Sequence, residues 1–150
     1  MIDNEKMHFI IPGNPIAKAR PRFGRFKVYD PQGDVKHECK CAFRKQMLQN
    51  GIEMVKNRLL IVDLELYTCI PNKAPKRISN AISMNEQQGI RTYHGKRPDI
   101  DNYIKFYLDA MNEVVYYDDG CICRVQAEKF YSTNPRTEIT INVFQDSDIL

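Results

Sequence analysis

Between Leu59 and Ile70 the chain reads LLIVDLELYTCI and alternates with a period of two. Leu60, Val62, Leu64, Leu66 and Thr68 fall on one side, and Ile61, Asp63, Glu65 and Tyr67 on the other. Such alternation reads as an extended strand, because successive side chains leave opposite faces of the pleat. One face is apolar and the other mixed, so the strand belongs in a sheet with one covered side.

The rest of the chain supplies partners for that strand. Met7–Ile11 reads as a short first strand, ended by Pro12-Gly13 and Pro15. Arg22–Asp30 alternates Phe23, Phe26 and Val28 around Gly24 and reads as a hairpin or an irregular strand. Asp34 is the expected N-cap of a helix to about Asn50, with Gly51 as its stop. Val35, Cys39, Phe43 and Met47 recur every fourth residue and predict its buried stripe. A short helix from Lys76 to Gln87 follows Pro71 and Pro75, and Arg91–Pro98 is a loop or short strand. Asp101 or Asn102 is expected to cap a helix reaching about Val115, with Ile104, Leu108, Met111 and Val115 as core stripe. Asp101, Lys105, Asp109 and Asn112 share another face of it. Tyr116–Gly120 reads as a turn, Cys121–Tyr131 as a strand, Ser132–Arg136 as a turn and Thr137–Phe144 as the last strand, with Gln145–Leu150 fraying. The order strand, helix, strand, helix, strand, strand predicts one α+β domain spanning residues 1–150, with its core at about 8–144. Its mixed β-sheet would pack against the helices, and 150 residues suffice to bury a real core.

Charge is distributed unevenly along this frame. The formal net charge is only +3. Yet Lys18, Arg20, Arg22, Arg25 and Lys27 crowd into a stretch without an acid, and Lys73, Lys76, Arg77, Arg91, Lys96 and Arg97 form a second basic region diluted only by Glu86. Acids gather after it, at Asp99, Asp101, Asp109, Glu113, Asp118 and Asp119. Basic flanks around an acidic centre steer phosphates in and leave the centre for a cation. No segment approaches the ~20 apolar residues that span a bilayer, so no membrane partner is expected. The start of the chain does not resemble a secretory signal, and five cysteines suit a reducing, cytoplasmic setting. The spacing Cys39-x-Cys41 and Cys121-x-Cys123 is not that of structural zinc sites, and buried or partly buried thiols are expected instead. His8, His37 and His94 fall in no motif.

The stretch KRPDIDNYIKFYLDA, Lys96–Ala110, carries the chemistry. Asp99 and Asp101 stand one residue apart, and in an extended segment residues i and i+2 point the same way. Carboxylates so close repel one another unless a cation lies between them. Hard divalent ions such as Mg²⁺ take oxygen ligands and keep waters for reaction. Each residue taken singly has an ordinary reading. Asp101 could be a helix cap, Lys105 an i,i+4 ion pair worth about 0.3–0.5 kcal/mol, and Asp118-Asp119 a turn. Their combination in one short stretch of a basic chain points to a metal-dependent enzyme acting on a polyanion.

These residues also carry a resemblance. Arg97-Pro98-Asp99-Ile100-Asp101-Asn102, then Lys105, Asp109, Met111-Asn112 and Asp118-Asp119, is similar to the signature of the RusA family of Holliday-junction resolvases. Gly13-Asn14-Pro15-Ile16-Ala17-Lys18-Ala19-Arg20-Pro21-Arg22 resembles that family's opening motif, and Glu128–Tyr131 with Pro135 and Glu138–Ile141 its C-terminal end. The likeness runs from about residue 8 to 144. It implies a RusA-like fold and a homodimeric nuclease that cuts four-way junction DNA with Mg²⁺, Mn²⁺ serving as a substitute and no small-molecule cofactor taking part. Carried over by position, it makes Asp99, Asp101 and Asp119 the metal-binding acids, with Asp118 a further candidate beside them, and Lys105 the essential lysine. Lys18, Arg20, Arg22, Lys96 and Arg97 would hold the DNA backbone. The aromatic wedge that opens junctions in some members has no clear match, Tyr93 being the nearest candidate.

The leading expectation is therefore an Mg²⁺-dependent endodeoxyribonuclease that resolves Holliday junctions by paired symmetric cuts in recombination and repair. A nuclease for forks or Y-junctions is the alternative enzyme, and a catalytically idle junction-binding protein the alternative from another class.

Overall fold

The computed structural model describes residues 6–144, so the expected fraying of Gln145–Leu150 lies outside the described residues. In chain order the elements are β1 (Lys6–Pro12), β2 (Arg22–Phe23), β3 (Val28–Tyr29), α1 (Gly33–Asn50), β4 (Leu60–Cys69), α2 (Lys76–Gln87), β5 (Thr92–Tyr93), α3 (Ile100–Met111), a 3₁₀ turn (Asp119–Cys121), β6 (Ile122–Ser132) and β7 (Arg136–Val143). The alternating run forms β4, the middle strand of a five-stranded sheet ordered β1-β7-β4-β6-β5. β4 is parallel to β6 and antiparallel to β7, while β1 pairs antiparallel with β7 and β5 with β6. The parallel pair needs a long crossover, and the chain between β4 and β6 carries α2, β5 and α3 in it. The result is a single α+β domain with a mixed sheet, as the element order implied.

Register makes the core. Met7, Ile141 and Val62 line up across β1, β7 and β4, and Phe9, Ile139 and Leu64 form the next row; all six are buried. α1 covers this face with Cys39, Phe43 and Met47, the Phe43 ring meeting Phe9 edge-on at 5.4 Å. α3 adds Tyr103, Phe106, Tyr107, Ala110 and Met111 to the same core. Burial of a side chain the size of Phe106 contributes about 1.5–3 kcal/mol.

Several local expectations shift. Gln32, not Asp34, stands at the N-cap of α1; Asp34 lies in the first turn, where a negative charge suits the helix dipole. Val35 is exposed, so the buried stripe of α1 begins at Cys39. Gly51 ends α1 in the left-handed region, at φ 64°, as expected of that residue. α3 starts one residue after Asp99 and stops at Met111; Glu113 then turns the chain with φ 62°, and Val115 joins the core from beyond the helix. Ile104 and Leu108 are half-buried flanks, since the larger aromatic rings take the inward positions. Of the cysteines, Cys39 is buried and Cys121 half-buried, but Cys41, Cys69 and Cys123 are exposed; all five are free thiols.

Candidate active site and nucleic-acid interface

α3 presents two faces. The aromatic face holds the helix in the core, which leaves Asp101, Lys105, Asp109 and Asn112 along the opposite side. Asp99 is the N-cap residue by backbone geometry, yet its side chain makes no cap bond. The carboxylates of Asp99 and Asp101 are exposed at the start of α3; the Asp99 carbonyl accepts the Asn102 N–H at 3.1 Å, while its carboxylate accepts no hydrogen bond among the described residues. The Lys105 ammonium lies 3.4 Å from Asp101 Oδ2, with both side chains well exposed.

The loop that delivers Asp99 is fastened from behind. Lys129 sits on the inward side of β6, opposite Leu66. Its ammonium donates to the carbonyls of Lys96 and Pro98 at 2.6 and 2.8 Å. The His94 N–H donates to the Lys129 carbonyl at 2.8 Å, which ties the same loop to the strand backbone.

The other end of α3 is built from Asn112. Its Oδ1 accepts the Asp119 N–H at 3.1 Å, and Lys40 donates to the carbonyls of Asp109 and Asn112. A cation on the last carbonyls of a helix satisfies orphan acceptors and the negative end of its dipole. Asp118 and Asp119, adjacent in sequence, have different occupations. Asp118 Oδ1 accepts the Gly120 N–H at 3.2 Å and so caps the 3₁₀ turn. The Asp119 carboxylate is exposed and accepts no hydrogen bond among the described residues.

Asp99 and Asp101 thus stand together at the first turn of α3, while Asp119 is attached at its last. A helix rises about 1.5 Å per residue, so the helix length separates Asp119 from the pair. Accordingly, no three His, Cys, Asp or Glu side chains among the described residues are grouped so as to hold a metal ion. The expected set of Asp99, Asp101 and Asp119 is not assembled as one cluster within the chain. The pair Asp99 and Asp101 nevertheless fits a hard cation, since Mg²⁺ is commonly held by one or two carboxylates together with substrate phosphates and water.

Around this face the cations divide into two groups. Arg20, Arg22, Lys27, Lys96 and Arg97 are exposed and make no ion pair among the described residues. Lys18, placed with them by sequence, is bound to the Asp109 carboxylate. Arg91 belongs elsewhere: it pairs with Glu65 at 2.8 Å and lies over the Phe130 ring, on the sheet face away from α3. Tyr93 is on that far face as well, its hydroxyl donating to Glu128 at 2.8 Å and its ring 5.1 Å from Phe130.

A more prominent aromatic feature is the β2–β3 hairpin. Its turn is closed by the Gly24 N–H donating to the Lys27 carbonyl at 2.7 Å. Phe23 and Phe26 are 86% and 93% exposed, the most exposed phenylalanines of the described chain. The Arg25 guanidinium lies 5.8 Å from the Phe26 ring. The alternation in RFGRFK reads as a hairpin or an irregular strand, and the hairpin is what forms, with both rings left bare among the described residues. Lys129 also left a trace, as a lysine at an inward position of a strand.

An exposed carboxylate–lysine group on an α+β scaffold, with unpaired cations and bare rings among the described residues of the same chain, has the chemistry suited to an enzyme that handles phosphate polymers. The chain belongs to the RusA endodeoxyribonuclease family, a family of Holliday-junction resolvases, whose model matches residues 12–142. A protein of Bacillus subtilis (strain 168), described as the uncharacterized protein YqaN, is 31% identical over 144 residues, covering 89% of this chain and 93% of the relative. Among the described residues no helix is long and apolar enough to cross a membrane.

Proposed function

We propose that the chain is a divalent-metal-dependent endonuclease that resolves four-way DNA junctions. The observation that carries this is the exposed Asp99, Asp101 and Lys105 group at the start of α3, bordered by Lys96, Arg97 and the arm that begins at Lys18. Asp99 and Asp101 would hold Mg²⁺, or Mn²⁺ in its place, and the family likeness adds Asp119 to the acids the reaction requires. When bound, such an ion supplies a water of lowered pKa and neutralises charge on the phosphate.

The chain's own residues do the rest. Lys105, 3.4 Å from Asp101, stands where it can donate to the oxygens on which charge develops as the phosphodiester breaks. Lys96 and Arg97 neutralise neighbouring phosphates, and Arg20 and Arg22 hold the backbone without reading sequence. Phe23 and Phe26 stack on bases exposed at the branch point, a contact open to any sequence. Two equivalent cuts across a four-way junction call for two sites related by a two-fold axis, which a homodimer supplies. The setting is cytoplasmic, in agreement with five free thiols.

The test compares a labelled four-way junction with linear duplex of the same sequence, with Mg²⁺ or with EDTA, for the wild type and for Asp101→Asn. Paired symmetric nicks on the junction alone, dependent on metal and lost in Asp101→Asn while binding persists, are expected. Wild-type cutting by Asp101→Asn would remove the assigned acid. Junction binding without any cut would favour an idle binding protein, and incision in a single arm would favour a fork or Y-junction nuclease.

A further inference from the structure

Among the described residues the arm between β1 and β2 pairs with no strand beyond Pro12, and bonds to α3 and to the Gln32 amide hold it instead. The Ile16 N–H donates to the Tyr107 hydroxyl at 3.0 Å and the Lys18 N–H to the Asn102 carbonyl at 2.8 Å, so the even positions face α3. The odd positions face one amide: Gln32 Oε1 accepts the Ala19 N–H at 2.7 Å, and Gln32 Nε2 donates to the Ala17 carbonyl at 2.9 Å. Gln32 occupies the N-cap position of α1 yet makes no cap bond with its side chain. Asp30 fixes it in turn, accepting the Gln32 N–H at 2.9 Å and the Lys36 ammonium at 2.7 Å. The Lys18 ammonium closes the arrangement on the Asp109 carboxylate. Immediately beyond, Arg20 and Arg22 are exposed and free of ion pairs among the described residues.

We propose that Asp109 and Gln32 are positioning residues for DNA binding, and that Lys18 acts as an internal tether rather than as a phosphate contact. This rests on the endonuclease reading above. An arm ordered before DNA arrives presents Arg20 and Arg22 without the entropic loss of ordering them on binding. The sign of one substitution separates this from the ordinary alternative. An acid beside a DNA surface opposes binding by repulsion, so its removal alone should tighten the complex. A tether requires the reverse.

Affinity and cleavage are measured for wild type, Lys18→Met, Asp109→Asn, the double variant and Gln32→Ala, on a four-way junction and on matched linear duplex. Each single substitution should raise Kd and KM about fivefold, with kcat changed less than about twofold, as expected for lost preorganisation. The double variant should be no weaker than either charge variant alone, because both remove one interaction. Asp109→Asn binding as tightly as wild type or tighter, multiplying effects in the double variant, or wild-type affinity in Gln32→Ala would each overturn the proposal. A collapse of kcat at unchanged KM would overturn it too, by placing Asp109 among the reacting groups. Gln32→Ala removes no charge and no cap bond, so it reports on the arm even if Asp109→Asn lowers stability. If the wild type neither prefers nor cuts the junction, the resolvase reading fails, while the order of the variants on duplex still decides the tether.

Discussion

Lys129 on β6 donates to the carbonyl of Pro98 at 2.8 Å, one residue before the first of the paired acids. The same ammonium reaches the Lys96 carbonyl at 2.6 Å, so a single cation fixes the height of the loop that carries Asp99. Hydrogen bonds to charged groups contribute about 1.5–3 kcal/mol. Lys129→Met keeps the aliphatic stem and removes both bonds. The fold should survive with a lower Tm, and single-turnover cleavage should slow at least about tenfold, since small misplacements of reacting groups are costly. An unchanged rate would show that the loop is held by its other contacts, such as the His94 N–H.

Asp118 and Asp119 should respond differently to the same change. Asp118 spends an oxygen on the Gly120 N–H, so Asp118→Ala should lower stability by about 1 kcal/mol, the usual loss on removing a cap. Asp119 offers its carboxylate to solvent, so Asp119→Asn should leave the unfolding midpoint unchanged and abolish cutting. Chemical denaturation and junction cleavage on the two variants check this together. Cutting retained in Asp119→Asn and lost in Asp118→Ala would exchange their roles.

The strands and helices could be read from period and punctuation because local chemistry decides them. The β4 alternation, Gly51 at a left-handed cap and the α1 stripe from Cys39 to Met47 all took form as expected. The paired acids and Lys105 were legible for the same reason, being close in sequence on one short stretch. What could not be read depends on contacts across the fold. Lys18 stands among the expected DNA-backbone contacts, and its bond to Asp109, on a helix much later in the chain, shows only in the fold. Gln32 is an unremarked glutamine in sequence and a two-sided clasp in space. Likewise, the family resemblance joins Asp119 to Asp99 and Asp101, whereas α3 sets them at its two ends.

The hairpin offers a prediction in which stability and function separate. Phe23 and Phe26 are exposed, so replacing either with alanine should change folding stability by less than about 0.5 kcal/mol. Stacking on an unpaired base contributes about 1–3 kcal/mol. Affinity for a four-way junction should therefore fall roughly fivefold or more in Phe23→Ala with Phe26→Ala, and affinity for linear duplex much less. Fluorescence anisotropy on both substrates measures the ratio. Equal losses on the two DNAs would mean that the rings pack against the backbone and do not enter the branch.

His94 should make folding stability depend on pH. The ring is buried, with Nδ1 3.1 Å from the Thr68 hydroxyl and its plane tilted over Tyr131 at 4.5 Å. Burial holds its pKa below the ordinary 6.5, and the charges of Lys129 and Lys96 push in the same direction. The folded chain thus keeps His94 neutral where the unfolded chain already binds a proton. Stability from this residue is complete above pH 6.5 and is lost as the pH falls from there through the lowered folded value. His94→Gln retains a partner for Thr68 but does not titrate. Urea unfolding at about pH 7.5 and about pH 5.5, on either side of the ordinary histidine value, should show a smaller acid loss in the variant than in the wild type. Because the ring stands against the loop that Lys129 fastens, wild-type cleavage should decline over the same interval, measured at a metal concentration high enough to saturate. Identical acid losses in the two proteins would assign the pH dependence to other groups and leave His94 as a packing residue alone.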